Sequence, residues 1–310
     1  MDRRTFLEIA GKGSLCLFLS SRTSAENNPN PIRREIFLKA KHINDYLRSL
    51  CTVSEPSVDR IIIGNGDNVV SKIGTAWMPY WKTCRKAVRQ GINTLIVHEP
   101  TFYTHWDLDT KESDFFSGDL PGRAAYIQIR DKKLKWINEN GLVIIRCHDV
   151  LDKILGFGIP FALGKALGFS ERDLIRSKKY FNVYRINPKP AAEVATYIAG
   201  RLKVLGQPGL AFYGDENYSV SSIGLGTGCI CNPLEFMDLE PDLFVAIDDT
   251  IRTWVQTVYS EDTGRPLVVI NHGTSEEQGM RMLNAHLTEV FPNKEVIHLD
   301  QGCSYKWIAS

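Results

Sequence analysis

The sequence has no long apolar run and no concentration of positive charge. A transmembrane helix needs about 20 consecutive apolar residues, and no stretch of the 310 residues reaches that length without charged residues. Lysine and arginine together number 37 against 36 acidic residues, and they do not cluster. We therefore expect a mature protein that neither sits in a membrane nor binds nucleic acid.

Two signatures of cofactor binding are incomplete. Cys229 and Cys231 have no second close cysteine pair that would complete a four-cysteine cluster site. The segment Gly224-Leu-Gly-Thr-Gly228 lacks the full G-x-G-x-x-G spacing, and no clear acidic residue ends a following strand at the expected distance. We therefore expect neither an iron–sulfur cluster nor a dinucleotide, which leaves a tight turn or a phosphate cradle as the role of these glycines.

The amino terminus has the layout of an export signal. Arg3-Arg4-Thr5-Phe6-Leu7 precedes a short apolar segment at residues 13–20 and the small residues Thr23-Ser24-Ala25. This order resembles a twin-arginine signal, so we expect removal of residues 1–25 and export to the periplasm or a similar compartment. Without the four basic and two acidic residues of that segment, 33 basic and 34 acidic residues remain. The six remaining cysteines allow a disulfide, but the sequence assigns no pairing.

Strands and helices alternate along the rest of the chain. After a polar, proline-containing linker at residues 26–32, short runs of branched apolar residues alternate with segments of helical spacing, such as residues 123–140. This alternation predicts an α/β fold with three layers (αβα) and a mostly parallel sheet. Glycines and a proline at residues 156–160 indicate a division into two similar halves, residues 33–178 and 179–310.

Three of the seven histidines end apolar strands. They are His98 after Leu95-Ile-Val97, His148 after a run that starts at Leu142, and His272 after a run that starts at Leu267. In an open α/β sheet, ligands bind at the carboxyl ends of parallel strands. The three imidazoles could therefore meet at one edge of the fold.

Each of these histidines also has a carboxylate at a short offset along the chain, and the candidates are Glu99, Asp149, Asp152 and Glu276. If the chain turns into a helix just after the strand, positions i and i+4 share a face, so His148 can converge with Asp152, and His272 with Glu276. Imidazole plus carboxylate is the ligand set of Zn²⁺, Mn²⁺, Fe or Ni²⁺. One such histidine alone would indicate a structural residue, but the repetition at three strand ends favours a metal site.

The order and spacing of these motifs resemble the Nif-three-like dinuclear metal-centre family, whose members are often labelled GTP cyclohydrolase I type 2 homologues. The resemblance runs from about Asp59 to Gly302 and depends on the combination of segments, since none is specific alone. The segments that carry it are Gly64-Asn-Gly-Asp67, Lys72-Ile-Gly-Thr-Ala76, Val97-His-Glu-Pro100, Cys147-His-Asp-Val-Leu-Asp152 and Asn271-His-Gly-Thr-Ser-Glu276.

The resemblance implies both a ligand set and an assembly. The implied metal ligands are His98, Asp152, His272 and Glu276, with Glu276 bridging two ions. The implied assembly is a ring-shaped hexamer of three-layer α/β subunits. His148 corresponds to a histidine near the family's ligands, so we expect it to support a ligand or to transfer protons.

Glu99 departs from the family pattern, which has a second histidine at this position. As a ligand, Glu99 would give three carboxylates and two imidazoles, a set that favours harder ions such as Mn²⁺, Fe or Mg²⁺ over Zn²⁺ or Ni²⁺. Glu99 could instead act as a general base, or be a structural residue beside a mononuclear centre. The family's Gly-Gly-Ser-Gly segment also differs, and is replaced here by Gly226-Thr-Gly-Cys-Ile-Cys-Asn232.

We therefore expect a metal-dependent, hydrolase-like protein with two divalent ions (Mn, Fe or Zn) per subunit and an unidentified small-molecule substrate. The expected catalytic residues are His148 and Glu99, and the expected metal ligands are His98, Glu99, Asp152, His272 and Glu276. The alternative is a non-catalytic metal-binding or scaffold ring. The family label suggests opening of the GTP ring, but the sequence shows no guanine-recognition motif that would support this reaction.

Overall fold

The computed structural model describes residues 37–108 and 121–308, which form two β-sheets and the helices that cover them. The first sheet has five strands, in the spatial order β1 (Ile61–Ile63), β4 (Val143–Arg146), β3 (Thr94–Val97), β2 (Lys72–Ala76) and β11 (Glu295–His298). The second sheet has six strands, in the order β5 (Leu174–Lys178), β6 (Phe181–Pro190), β8 (Ser219–Leu225), β9 (Leu243–Ile247), β10 (Leu267–Ile270) and β7 (Ala211–Tyr213).

The helices of the described residues are α1 (Ala40–Ser49), α2 (Trp81–Arg89), α3 (Arg123–Glu139), α4 (Ile159–Ala166), α5 (Ala191–Leu202), α6 (Val258–Thr263) and α7 (His272–Val290). Two short 3₁₀ turns, Gly228–Ile230 and Asp248–Thr250, and a π-helical turn at Thr253–Thr257 complete the regular structure near the candidate site.

The first sheet is buried on both faces. Strands β2, β3, β4 and β11 are parallel, β1 runs antiparallel, and every residue of β3 and β4 is buried. Ile96 and Ile145 point into one hydrophobic cluster, which also contains residues of α1 and α7. Leu95 and Ile144 point into the opposite cluster, which contains residues of α2 and α3. This alternation gives the first half its three layers, and each fully buried aliphatic side chain contributes about 1.5–3 kcal/mol.

The second sheet is mixed. Strands β8, β9 and β10 are parallel, whereas β5, β6 and β7 pair antiparallel with their neighbours. The link between β5 and β6 consists only of Lys179 and Tyr180, with Lys179 at a φ of 52°. A connection this short can join only antiparallel strands. The core of this half contains residues of β6, β8, β9, β10, α4 and α5, and partly buried residues of β5 and β7 pack against it.

Helix α7 connects the two halves. It begins at His272 directly after β10 of the second sheet, and the chain then returns to the first sheet as β11, which pairs with β2. Gly279 of α7 packs against α4 so closely that a Cβ atom there would lie 2.4 Å from Ile159 Cδ1. A side chain at this position would have to displace Ile159 of α4. Residues at the start of α7 are held between the sheets.

The predicted α/β class with two similar halves is confirmed, with two sheets in place of one. The sheets do not follow the predicted boundary at residue 178, because β5 joins the second sheet and β11 the first. The predicted export signal at residues 1–25 and the linker at 26–32 lie outside the described residues. Among residues 37–108 and 121–308, no helix combines the length and the apolar character needed to cross a membrane.

Candidate metal centre

Residues that follow three strands meet between the first sheet and the start of α7. His98 and Glu99 follow β3, Asp152 lies in the turn after β4, and His272 and Glu276 occupy the beginning of α7. Since β3 and β4 are parallel neighbours, with Val97 opposite Arg146, their carboxyl ends lie at the same edge. The structure thus brings together all five predicted ligands from three distant segments.

His98 is completely buried and presents one ring nitrogen to the centre. Its Nδ1 lies 3.2 Å from the carbonyl oxygen of Cys147, which can only accept a hydrogen bond, so a neutral ring carries its proton on Nδ1. Burial lowers the pKa of His98 to about 4. The ring is neutral at pH 7, and its Nε2 lies 3.4 Å from Glu276 Oε2 and 3.6 Å from Asp152 Oδ1.

His272 is oriented by a carboxylate. Its Nδ1 lies 2.7 Å from Asp249 Oδ2, and its Nε2 lies 3.1 Å from Glu276 Oε2 and 3.2 Å from Glu99 Oε1. Burial opposes a charge on the ring, but the charge of Glu276 and the bond to Asp249 raise the pKa of His272 far above its ordinary value. The carboxylates around His272 therefore stabilise a positive charge at this position.

Glu276 lies between the two histidines. Its Oε2 is the oxygen that both Nε2 atoms approach, and it also accepts a 2.7 Å hydrogen bond from Trp77 Nε1. The side chain is 3% exposed. Burial would raise the pKa of Glu276, but the imidazoles of His272 and His98 lower it. Glu276 is thus a buried, ionised carboxylate shared by two imidazoles.

Glu99 contacts a different partner with each oxygen. Its Oε1 faces His272, and its Oε2 lies 4.0 Å from Nη2 of Arg146. Burial would raise the pKa of Glu99, but the His272 imidazole 3.2 Å from Oε1 and the charges of nearby histidines lower it well below the ordinary range. The carboxylate is therefore ionised within the cluster.

Asp152 is placed by the turn after β4. The buried carboxylate of Asp59 accepts hydrogen bonds from the backbone N–H groups of Asp149 (3.1 Å) and Val150 (2.7 Å), which fixes this turn. Burial, together with repulsion from Glu276 and other carboxylates, raises the pKa of Asp152 to about 8. Without a further cation, the cluster holds more negative charge than its surroundings balance.

His148 lies beside the predicted ligands. Its ring stacks on His98 with the centroids 4.5 Å apart, and its Nδ1 lies 3.0 Å from Asp149 Oδ1 and 3.6 Å from Asp152 Oδ2. Burial opposes its charge, but these two carboxylates raise the pKa of His148 to about 9. Because 17% of the side chain is exposed, His148 can exchange protons with solvent. The ring of His105 lies next to it, 5.1 Å away.

Three observations fit this donor set to a divalent metal ion. The Nε2 atoms of His98 and His272 are buried and make no hydrogen bond, although carboxylate oxygens surround them. Gly228, at a φ of 69°, lies against the same group, since a Cβ atom there would be 2.8 Å from Glu276 Oε1. Donor atoms of Glu99, His272 and Glu276 lie within 4.8 Å of one another, as do those of His98, Glu99 and His148. Imidazole and carboxylate donors at this spacing suit a divalent transition metal.

Three supporting residues were missed by the sequence reasoning. Asp249 follows β9, so the tendency of ligands to lie at the carboxyl ends of parallel strands points to Asp249 as well. Arg146 could have been recognised from the sequence, because it is a charged residue within the apolar, buried run that starts at Leu142. Trp77 carried no signal, because its bond to Glu276 joins residues 199 positions apart.

The fold and the cluster define an α/β protein with a buried histidine and carboxylate centre between two halves. The family model for Duf34/NIF3 (NGG1p interacting factor 3) matches residues 61–302. The chain therefore belongs to the Duf34/NIF3 family, and the resemblance predicted from the motifs is confirmed at the family level. No curated protein matches the sequence significantly.

Several solved structures share this fold. Protein SA1388 of Staphylococcus aureus matches with a TM-score of 0.69 and 15% identity, over 87% of this chain and 99% of that chain. HcgD from Methanocaldococcus jannaschii, in its reduced form, matches with a TM-score of 0.61 and 20% identity, over 86% of this chain and 99% of that chain. TTHA1606 from Thermus thermophilus matches with a TM-score of 0.61 and 19% identity, over 86% of this chain and 98% of that chain. At these identities the similarity establishes the fold alone.

Proposed function

We propose that this chain is a metal-dependent, hydrolase-like protein with two divalent ions per subunit. One observation carries the proposal: two buried imidazole nitrogens without hydrogen bonds, His98 Nε2 and His272 Nε2, converge on the same carboxylate oxygen of Glu276. A buried polar atom without a partner is costly. A metal ion between these donors would remove that cost.

The resemblance to the family implies two groups of donors that would share Glu276. His98 and Asp152 would hold one ion, and Glu99 and His272 the other. Two bound divalent ions would act as Lewis acids that polarise a substrate and make a water molecule more acidic. Three carboxylates against two imidazoles favour Mn²⁺ or Fe over Zn²⁺.

The residues around the donors would hold their orientation. Cys147 O and Asp249 each occupy the Nδ1 side of one histidine, which directs Nε2 of His98 and of His272 to the centre. Trp77 Nε1 restrains the shared carboxylate of Glu276. Such contacts preorganise a site, so that little conformational freedom is lost when it is occupied.

Proton transfer is assigned to His148 and metal binding to Glu99. His148 is partly exposed, bonds to Asp149 and lies 3.6 Å from Asp152, so it can move a proton between the centre and solvent. Glu99 is already engaged by His272 and Arg146. That engagement fits a ligand better than a base that must accept and release protons.

Metal analysis tests the proposal directly. Protein purified without chelator should contain two divalent ions per chain, and a His98→Ala, His272→Ala double variant should contain none. A His42→Gln variant, altered on α1 outside the cluster, is the control for the loss of a histidine. A wild-type protein that binds no divalent ion after supplementation with Mn²⁺, Fe²⁺ or Zn²⁺ would contradict the proposal.

A hydrolysis screen separates the enzyme from the alternative of a scaffold. Loaded protein should hydrolyse at least one of phosphoesters, amides and cyclic nucleotides, and His148→Gln should slow turnover by about 10²–10⁴-fold while metal remains bound. Two bound ions without turnover on any of these classes would favour a non-catalytic metal-binding or scaffold ring.

Export and assembly are part of the same proposal. The twin-arginine layout of residues 1–25 is the basis for the proposed periplasmic localisation. That route carries proteins already folded with metal bound, which suits a metal-binding protein. Replacement of Arg3 and Arg4 by lysine should retain the protein in the cytoplasm, as cell fractionation would measure. The ring-shaped hexamer is tested by light scattering of the purified protein, where a monomeric mass would contradict it.

A further inference from the structure

Trp77 contacts four of the five proposed metal ligands. Its backbone carbonyl oxygen, directly after β2, accepts hydrogen bonds from the N–H groups of His98 (3.1 Å) and Glu99 (3.0 Å). Its indole Nε1 donates to Glu276 Oε2 at 2.7 Å, and its ring makes a T-shaped contact with His272 at a centroid distance of 5.3 Å. A displacement of this one buried residue would therefore disturb both sides of the centre.

The residue after Trp77 is clamped by a distant glutamine. Gln301 lies three residues after β11, at the same edge of the first sheet, because β11 and β2 are parallel neighbours. Its Oε1 accepts a hydrogen bond from the Met78 N–H at 2.7 Å, and its Nε2 donates to the Met78 carbonyl oxygen at 2.6 Å. The same Nε2 donates to Thr83 Oγ1 at 2.8 Å. A carboxamide supplies both an acceptor and donors, so one side chain holds both backbone groups of Met78.

The first turn of α7 packs against the same place. A Cβ atom at Gly273 would lie 2.5 Å from the carbonyl oxygen of Gly302 and 2.9 Å from Cζ3 of Trp77. The turn that carries the ligands of α7 is therefore in close contact both with the indole and with the residue that follows Gln301. A shift of either would be transmitted to these ligands, since close-packed groups leave no space to absorb it.

We propose that Gln301 is a positioning residue for the metal centre and acts through Trp77 on the ligands of both ions. By holding the backbone of Met78, it fixes the direction of the indole N–H toward Glu276 and the position of the carbonyl oxygen that orders the chain after β3. Ligands that are held in place before an ion binds lose little conformational freedom on binding. Loss of the clamp therefore weakens the binding of both ions. This inference rests on the proposed two-ion centre.

Titration of chelator-treated protein with Mn²⁺, measured by calorimetry, tests the inference without use of enzymatic activity. Gln301→Met nearly keeps the length of the side chain but removes the amide, and it should weaken the binding of both ions about tenfold. Asn93→Leu is the matched control, because Asn93 clamps the Ser71 N–H (2.9 Å) and the Val69 carbonyl oxygen (2.8 Å) before the opposite end of β2. This control should keep both affinities. Wild-type affinity in Gln301→Met, or an equal loss in the two variants, overturns the inference.

The indole N–H of Trp77 gives a readout that a general loss of stability would not change. Its proton signal in NMR spectra of the metal-free protein is assigned by its absence in Trp77→Phe. In Gln301→Met this signal should move upfield, because the hydrogen bond to Glu276 lengthens, whereas in Asn93→Leu it should stay in place. A signal that does not move in Gln301→Met overturns the inference.

Trp77→Phe gives an independent test that leaves Gln301 intact. This variant keeps an aromatic ring but loses the indole N–H, and it should weaken the binding of Mn²⁺ by about 10–100-fold. Unchanged affinity in Trp77→Phe would overturn the inference even if Gln301→Met fails to fold. The outcomes also distinguish the two proposals: a wild-type protein with no ion or one ion contradicts the two-ion centre, whereas two ions whose affinities do not depend on Gln301 contradict only its positioning role.

Discussion

Two clusters of histidine and carboxylate lie side by side on α7, and they are built differently. The candidate metal centre uses Glu276. The neighbouring residue, Glu277, is completely buried and contacts His298 Nε2 at 2.8 Å, near Asp300. Both clusters contain the residue types that bind divalent metals, so residue type alone does not separate them.

Hydrogen bonding and charge balance separate the two clusters. Both ring nitrogens of His298 have partners, Thr75 Oγ1 at 2.9 Å and Glu277 Oε1 at 2.8 Å, whereas His98 and His272 each leave Nε2 without a hydrogen bond. The atoms left unbonded in the second cluster are Glu277 Oε2 and Arg281 Nε, and these two groups carry opposite charge. Arg281 lies 2.9 Å from Asp300 and 3.7 Å from Glu277, so the second cluster supplies its own cations. The comparison teaches that unbonded imidazole nitrogens among carboxylates mark a candidate metal site, while a carboxylate with its own cations beside it stabilises the fold.

Exchange of the central carboxylate of the metal centre should have the largest effect. Glu276→Gln removes the oxygen charge that both imidazoles approach, so the affinity for both ions should fall at least about a thousandfold. The folded state should persist, since Gln has nearly the same shape and can still accept from Trp77. Metal content by mass spectrometry and unfolding by urea would measure the two properties. Retention of two ions in the variant would remove the distinction drawn between the clusters.

The matching change in the second cluster should have the opposite outcome. Glu277→Gln leaves His298 and Arg281 without their buried counter-charge and should cost about 3 kcal/mol of unfolding free energy. Its metal content should equal that of the wild-type protein. A variant that unfolds normally but loses an ion would identify the second cluster as a metal site.

The next largest effect is on the pH dependence of stability, and it arises from the protonation of Asp152. Its pKa in the folded, metal-free protein is raised from the ordinary value of 3.8 to about 8, so between these values the folded state binds more protons than the unfolded state. The free energy of unfolding of metal-free protein should therefore fall as the pH rises from about 4 to about 8, with a contribution from Asp152 of roughly 1–3 kcal/mol. Urea unfolding near the two ends of this pH range would measure it.

Asp152→Asn provides the control for this pH dependence, because the amide does not titrate. The decline with rising pH should be smaller in the variant than in the metal-free wild-type protein, and Mn²⁺ should reduce it in the wild-type protein. Identical pH profiles for the two metal-free proteins would show that Asp152 titrates normally.

The sequence allowed prediction of what depends on local pattern. The apolar runs that become β3, β4 and β10 could be read directly, and the strand-end rule then brought His98, His148 and His272 together. The spacing of His272 and Glu276 predicted a shared helix face, and α7 provides it. These features depend on residues close in sequence, where the periods of strand and helix are visible.

The remainder depends on contacts between distant residues. Strand β11 returns to the first sheet and pairs with β2, which lies in the first third of the chain. No local sequence pattern predicts this pairing. Likewise, Glu276 and Glu277 are neighbours in sequence, and their different roles arise from Trp77 on one side and His298 on the other. Charge balance in a buried cluster is a property of the assembled fold.

The smallest predicted effect tests the support of one ligand. Asp249→Asn weakens the hydrogen bond that orients His272, so the affinity for the ion held by His272 should fall about tenfold while the other ion binds as before. Asp242→Asn is the matched control, since Asp242 precedes β9 while Asp249 follows it, and bonds to Ser221 and Ser222. The Asp242 variant should keep both affinities. If the two variants behave alike, orientation of His272 does not distinguish the metal centre from an ordinary bonded carboxylate, and the unbonded Nε2 atoms alone carry that distinction.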